Sequence, residues 1–417
     1  MSIIVIRNAD LVVGWDETEK GHVYVAGGDV AFEGGAIAFV GRGYGGKADE
    51  TIDGRGLMVM PGLVNIHSHP SSEPLNKGFL DELGSPGLYN SSLYEFMPIL
   101  RADAAAVPDC VRVAYSELML SGVSTVADLS VAHPAWLDLA AESGLRVCLA
   151  PMFRSARWFT RNGHAVEYEW DEAAGKKAMA AALDLVERAR QHPSGRLFGM
   201  VCPAQIDTCA ADLIRDSYAE AKARNLPWQI HAAQSIVEFQ EITRRHGVTP
   251  IQWLQSLGVL GPTSIVGHGI FLDDYPRVAW HSRRDLALLA ETGTMVAHCP
   301  TVFMQAARNA VAGGFHAVDF DAGIVEEGVE QPHRIRAAAD AGDERIGKTA
   351  FGLLHLLARL APDDALEVAH HAVDVAVETE EQAELGLVLD LAFDRRTDRE
   401  LLDEDFPGVT HGRLLRL

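Results

Sequence analysis

The chain has 417 residues, 48% of them hydrophobic and 23% charged, which excludes a disordered, collagen-like or coiled-coil protein. Its 36 basic residues against 58 acidic ones give a net charge of -22, which argues against a nucleic-acid binder or an acidic membrane surface as partner. Five scattered cysteines without a CxxC pair, no signal-peptide pattern, and no apolar run of the ~18 residues a membrane helix needs predict a reduced, cytoplasmic protein.

Residues 1–57 are short β-rich runs (SIIVIRNADLVVG, HVYVAGG, DVAFEGGAIAFVGRG, ETIDGRGLMVM) separated by Gly, Asp and Asn. They predict a small β-sandwich layer. From residue 58 apolar strands alternate with helical stretches. Strands are predicted at 57–69, 124–130, 145–153, 196–205, 227–233, 263–269 and 293–300. The stretches between them have helical periodicity, and several end in Gly, a common helix stop. Repeated βα units with continuous apolar strands imply a parallel sheet. Seven in a row point to a (β/α)8 barrel over residues 58–303.

Residues 304–417 read differently. After Trp280 the chain has neither Trp nor Tyr, and residues 301–417 hold a single lysine and more than half of the net negative charge. An acidic, helical region is expected, with the last barrel unit missing or replaced. Two origins stay open: an out-of-frame translation of a GC-rich gene, or a divergent region natural to a subfamily.

His67 and His69 stand two apart at a strand end, so period-two geometry puts both on one face. His231, His268 and His298 end the fifth, sixth and seventh predicted strands. Separate strands ending in His at one mouth of a barrel are hard to explain by packing alone. A divalent metal site is expected, because neutral imidazole binds a borderline-soft ion without cancelling its charge. Such an ion lowers the pKa of a bound water to about 7.

The motifs PGLVNIHSHP (61–70), GVSTVADLS (122–130), WQIHAAQS (228–235), SIVGHGIFLD (264–273) and MVAHCPT (295–301) resemble, in order and spacing, the amidohydrolase superfamily. The branch is that of cytosine, guanine and S-adenosylhomocysteine deaminases and triazine hydrolases. The resemblance covers about residues 1–303. It implies one Zn2+ or Fe2+ held by His67, His69 and His231, with His268 touching the activated water or the substrate. A strand-four lysine, which bridges two metals in binuclear members, is missing. The activity implied is hydrolysis of a C–N bond other than a peptide bond in a small cyclic, heteroaromatic molecule. By analogy with the family, a homo-oligomer stays open.

Two positions depart from the family pattern. The catalytic glutamate three residues after the strand-five histidine is replaced by Gln234, whose amide cannot carry out acid–base work at neutral pH. Glu238 could take its place, but it reads first as a solvated helix carboxylate. The strand-eight aspartate has no clear equivalent, Asp319 and Asp321 being the nearest candidates. Two further readings therefore stand beside deamination: an impaired remnant, and a dehalogenating triazine-type hydrolase. A ring-opening amidase is a weaker rival.

Glu73, Asn76 and Lys77 follow the HSHP motif and are candidate substrate contacts, as are Trp158, through ring stacking, and His298. For His298 a structural role at the end of strand seven is equally open. Asp128 could orient a ligand histidine or serve structure alone. His22, His133, His164, His192, His246 and His281 read as surface residues, and Cys299 as a buried apolar one.

Overall fold

The computed structural model describes residues 2–16, 18, 20–74, 103–162, 165–275 and 278–299. They fall into two compact units, one ending at Gly62 and one starting at Leu63.

In the first unit β1 (Ile3–Asp16), β2 (Gly21–Glu33), β3 (Ala36–Gly41) and β4 (Glu50–Asp53) form a sheet of order β3-β2-β1-β4. The short β5 (Met58–Val59) pairs beside Leu11 and Val12 of β1. The register of β1 against β2 shifts between Ile6 and Ala9, where Asn8 takes a φ of 57°. Asn tolerates this left-handed geometry better than most residues, which suits it to a bulge. Buried Asp29 secures the bulge by accepting from Asn8 N at 2.9 Å, Tyr44 N at 2.8 Å and Arg7 Nη1 at 3.3 Å. Ile6, Ala9, Val12, Val30 and Val59 make its core. The expected sandwich is represented among the described residues by this one sheet.

The second unit is built of βα repeats. Its strands are β6 (Leu63–Ser68), β7 (Val123–Asp128), β8 (Arg146–Leu149), β9 (Met152–Phe153), β10 (Ala156–Phe159), β11 (Glu167–Trp170), β12 (Leu197–Gly199), β13 (Cys202–Pro203), β14 (Trp228–Ala232), β15 (Ser264–His268) and β16 (Met295–Ala297). One sheet has the order β12-β8-β7-β6 and another β14-β15-β16, every pairing parallel. Parallel β9 and β13 continue β8 and β12 after short breaks. Bridges from Val201 to Trp228 and from Gln205 to His231 join the two sheets. Seven parallel strands thus follow one another in chain order. Ala127, Leu129, Cys148, Ala150, Met200, Cys202, Ile265 and Ala297, drawn from both sheets, share one interior cluster.

Helices α1 (Val107–Leu120), α2 (Trp136–Glu142), α3 (Glu172–Arg190), α4 (Ala211–Ala223), α5 (Ile236–His246), α6 (Pro250–Ser256) and α7 (Asp285–Thr292) connect these strands. Their starts follow local chemistry: Asp171, Ser235 and Thr249 accept from the backbone three residues on, capping α3, α5 and α6. Gly247 and Gly293 end α5 and α7 in left-handed geometry. Leu213, Ile214, Trp228, Ile230, Ile251, Leu254 and Val266 form the largest core cluster, between helices and strands. No described helix is long and apolar enough to cross a membrane.

The sequence reading put Glu238 on a helix without giving α5 a range, and it did not anticipate the antiparallel hairpin β10–β11. Closure into eight units is not formed among the described residues. The expected last unit and region 304–417 lie outside them, as do Asp319 and Asp321. β6 and β16 end the strand order, and Leu63, Val64 and Ile66 of β6 are 51%, 63% and 49% exposed.

Candidate metal centre

Strand register brings the predicted histidines together. His231 pairs with Gly267 and Ala232 with His268, so β14 and β15 end side by side. The His67 ring lies 5.0 Å from that of His69 and 4.7 Å from those of His231 and His268. One nitrogen from each of His67, His69 and His231 lies within 4.8 Å of the others.

The outer nitrogens fix which atoms face inward. His69 Nδ1 is 2.6 Å from the Leu129 carbonyl, and His231 Nδ1 is 2.6 Å from the Ala204 carbonyl. A carbonyl only accepts, so both Nδ1 atoms carry the proton and both Nε2 atoms present lone pairs. His67 Nδ1 donates to Gln229 Oε1 at 2.7 Å, and Gln229 Nε2 faces the Ile66 carbonyl at 3.4 Å. Among the described residues, His67 Nε2 is buried without a hydrogen-bond partner. His69 Nε2 and His231 Nε2 approach to 3.2 Å. Two lone pairs at that distance repel unless a cation lies between them. Protonation is opposed, since burial, and then the neighbouring imidazoles, hold His67 well below the usual histidine range and push His231 down to about 3. The donor set therefore fits a divalent cation.

Gly267 makes room for this arrangement. A Cβ there would stand 3.0 Å from His67 Cε1. Gly267→Ala is expected to keep the fold and weaken divalent-metal binding by roughly 10–100-fold, as loss of an outer partner does. Competition against a chromophoric chelator measures this, and unchanged affinity would remove Gly267 from the account.

His268 is buried, with a φ of 77°, a backbone region costly for a non-glycine residue and found at functional sites. Burial first, then the nearby imidazoles, holds it well below the usual histidine range. His298 Nδ1 donates to the His268 carbonyl at 3.1 Å, so His298 braces the backbone of His268. Gln234, two residues after β14, is buried beside Glu238, and its Nε2 meets no hydrogen-bond geometry among the described residues.

Glu238 corrects the sequence reading. It is fully buried, not a solvated helix carboxylate. Its carboxylate accepts from Ala233 N at 2.6 Å and Gln234 N at 3.3 Å, which holds the turn after His231. Burial first, then the Asp207 carboxylate, raises its pKa well above the usual range. His133 is also half-buried and stacked on Trp136 at 5.4 Å, not a surface residue.

The remaining candidates divide. Glu73 sits beside the centre, but its carboxylate accepts from His69 N at 3.0 Å and Ser68 Oγ at 3.1 Å, bracing the β6 end. Trp158 lies buried in β10 and donates its indole N–H to Asp207 at 2.8 Å. Asn76 and Lys77 lie outside the described residues. Asp128 touches no described histidine through a hydrogen bond; it accepts from Tyr115 Oη at 2.6 Å, Trp136 Nε1 at 2.8 Å and Ser130 Oγ. Its role is to tie α1 and α2 to the end of β7.

Sequence reasoning missed Gln229 and Cys299. Gln229 was visible as a polar residue two before His231 on the same strand, hence on the same face. Cys299 is partly exposed, and its sulfur lies within 4.8 Å of ligand atoms of His67 and His268.

The imidazoles converge at the ends of three parallel strands, and comparison with known proteins names the family. Residues 58–315 match the amidohydrolase family, and the chain belongs to it. A 5-methylthioadenosine/S-adenosylhomocysteine deaminase 2 of Archaeoglobus fulgidus is 26% identical over 260 residues, covering 61% of this chain and 55% of the relative. The chain thus spans little more than half the length of that curated relative. Among solved structures, guanine deaminase from C. acetobutylicum superposes with a TM-score of 0.55 at 14% identity, covering 76% of this chain and 71% of that one. Atrazine chlorohydrolase from Arthrobacter aurescens TC1, complexed with zinc, gives 0.54 at 18% identity, covering 70% and 64%. These neighbours support a TIM-barrel-like fold.

Proposed function

We propose that this protein hydrolyses a C–N bond other than a peptide bond in a small, cyclic, heteroaromatic molecule, in the manner of a deaminase. The observation that carries this reading is the convergence of His67, His69 and His231, each with its outer nitrogen already committed. One Zn2+ or Fe2+ held there would supply a nucleophile from water at neutral pH.

The chain's own residues do the rest. His268, neutral and fixed by its backbone and by His298, faces the same space and exchanges a proton with the attacking water or the substrate ring. Gln234 offers an amide N–H to a ring nitrogen or carbonyl of the substrate. Deaminase-named and guanine-bound relatives support a planar nitrogen heterocycle as substrate.

A second reading rests on Gln234 itself. An amide cannot protonate a departing amine. A halide leaves without a proton, so dehalogenation of a triazine-like ring stays in contention, in line with the chlorohydrolase neighbour.

The test is to load the purified protein with Zn2+ or Fe2+ and offer aminopurine nucleosides, aminopyrimidines and chlorotriazines. Ammonia release carries the deaminase reading. Chloride release moves it to the second, and a new carboxylate points to ring opening. Full metal occupancy with no product from any class would make the chain an inactive remnant.

A further inference from the structure

Cys299 is not used in the reading above. It follows His298 at the end of β16, with a φ of 53°. Its Sγ, one nitrogen of His67 and one of His268 all lie within 4.8 Å of one another. These donors come from the ends of three different strands, β6, β15 and β16.

The two groups of three share a single residue, His67. Its Nδ1 is committed to Gln229, which leaves Nε2, buried and without a hydrogen-bond partner among the described residues, to serve both groups. One nitrogen lone pair binds one ion at a time. The all-imidazole set of His67, His69 and His231 and the mixed set of His67, His268 and Cys299 therefore exclude each other.

We propose that Cys299 is a metal ligand and that the centre has a second, alternative ion position formed by His67, His268 and the Cys299 thiolate. Soft thiolate favours zinc, cadmium and cobalt(II) over hard cations such as magnesium. Entry of the ion forms a metal–sulfur bond and releases the thiol proton to solvent. No electron transfer is involved. Burial first, then the Glu73 carboxylate, raises the thiol's pKa, so the proton leaves as the ion enters and not before. Asp128 and the other four cysteines, all buried, have no place in either set. The mixed position draws His268 into coordination, so an ion held there removes the residue assigned above to proton exchange. The centre would then exist in a working form and a thiolate-bound form.

The inference rests on His67 being an ion ligand, and its test separates the two claims. The full chain is loaded with Co2+, and the near-ultraviolet spectrum is read for a thiolate-to-cobalt charge-transfer band. The band is expected in the wild type. It is lost in Cys299→Ser and Cys299→Ala, which keep bound cobalt at the all-imidazole position. In His231→Ala, which lacks that position, the band persists with one cobalt per chain. Bound cobalt without the band in wild type and His231→Ala overturns the thiolate position and leaves the imidazole centre standing. A band that survives in both Cys299 variants assigns the sulfur elsewhere and also overturns it. A wild-type chain that binds no cobalt overturns both positions together.

Discussion

His67→Ala is expected to abolish stoichiometric binding of divalent metal and, with it, turnover. His67 Nε2 is the atom that both donor sets require, so no alternative position can compensate. The loss in affinity should exceed the roughly 10–100-fold typical of removing an outer partner. The protein without metal should lose about 1–3 kcal/mol, because the variant leaves the buried Gln229 Oε1 without its donor. Thermal unfolding with and without metal separates these effects. At a metal concentration one hundred times the Kd, the wild type gains about 2.7 kcal/mol and its Tm rises. The variant's Tm should not move. A tightly bound ion in His67→Ala, or a metal-dependent Tm, would contradict this assignment.

Asp128→Ala is expected to cost about 3–5 kcal/mol of stability. Three buried donors, Tyr115 Oη, Trp136 Nε1 and Ser130 Oγ, converge on this carboxylate. Removing their acceptor leaves Tyr115 Oη and Ser130 Oγ with no acceptor among the described residues, at about 1–3 kcal/mol for each such buried group, and leaves Trp136 Nε1 only its longer bond to Tyr115 Oη at 3.3 Å. Denaturant unfolding measures the total. Asp128→Asn tests the charge separately. Burial raises the Asp128 pKa from 3.8 to about 6, against the pull of its hydrogen bonds and with a small push from Glu73. Between pH 4 and 6 the folded protein therefore holds a proton that the unfolded chain has lost. The wild type should lose stability relative to Asp128→Asn as pH rises through that window, by about 3 kcal/mol, and no further above it. Parallel pH profiles for the two proteins would refute this.

The strand-end histidines were legible because a parallel barrel imposes two regularities on its sequence. Each strand is a short apolar run, and its functional residue sits at the C-terminal end. His67, His69, His231, His268 and His298 obey both, and the structure brings the first four within touching distance. Glu238 was misread for a tertiary reason. A carboxylate in the first turn of a helix is ordinarily solvated, and only the turn after β14 shows it folded inward onto Ala233 and Gln234. Helix α5 carried an available signal, Ser235 followed three residues later by Glu238, the pattern of a capping box. Its second half is altered here, because Glu238 turns to the residues before the cap. Cys299 gave no signal at all. A thiol beside a histidine looks apolar until neighbouring strands bring His67 and His268 to its sulfur.

β6 has one property that its exposed side chains alone do not convey. It is the terminal strand of the arc, hydrogen-bonded on one side among the described residues, yet it holds His67 and His69. An ion shared by His69 and His231 would be a cross-link between residues 162 positions apart. In the chain-entropy view a covalent link over ~100 residues restricts the unfolded chain by about 4.7 kcal/mol, and a tight coordinate bond acts in the same sense. The metal would then clasp β6 to β14. A chelator would unfasten it, and the half-exposed Leu63, Val64 and Ile66 would lose that anchor.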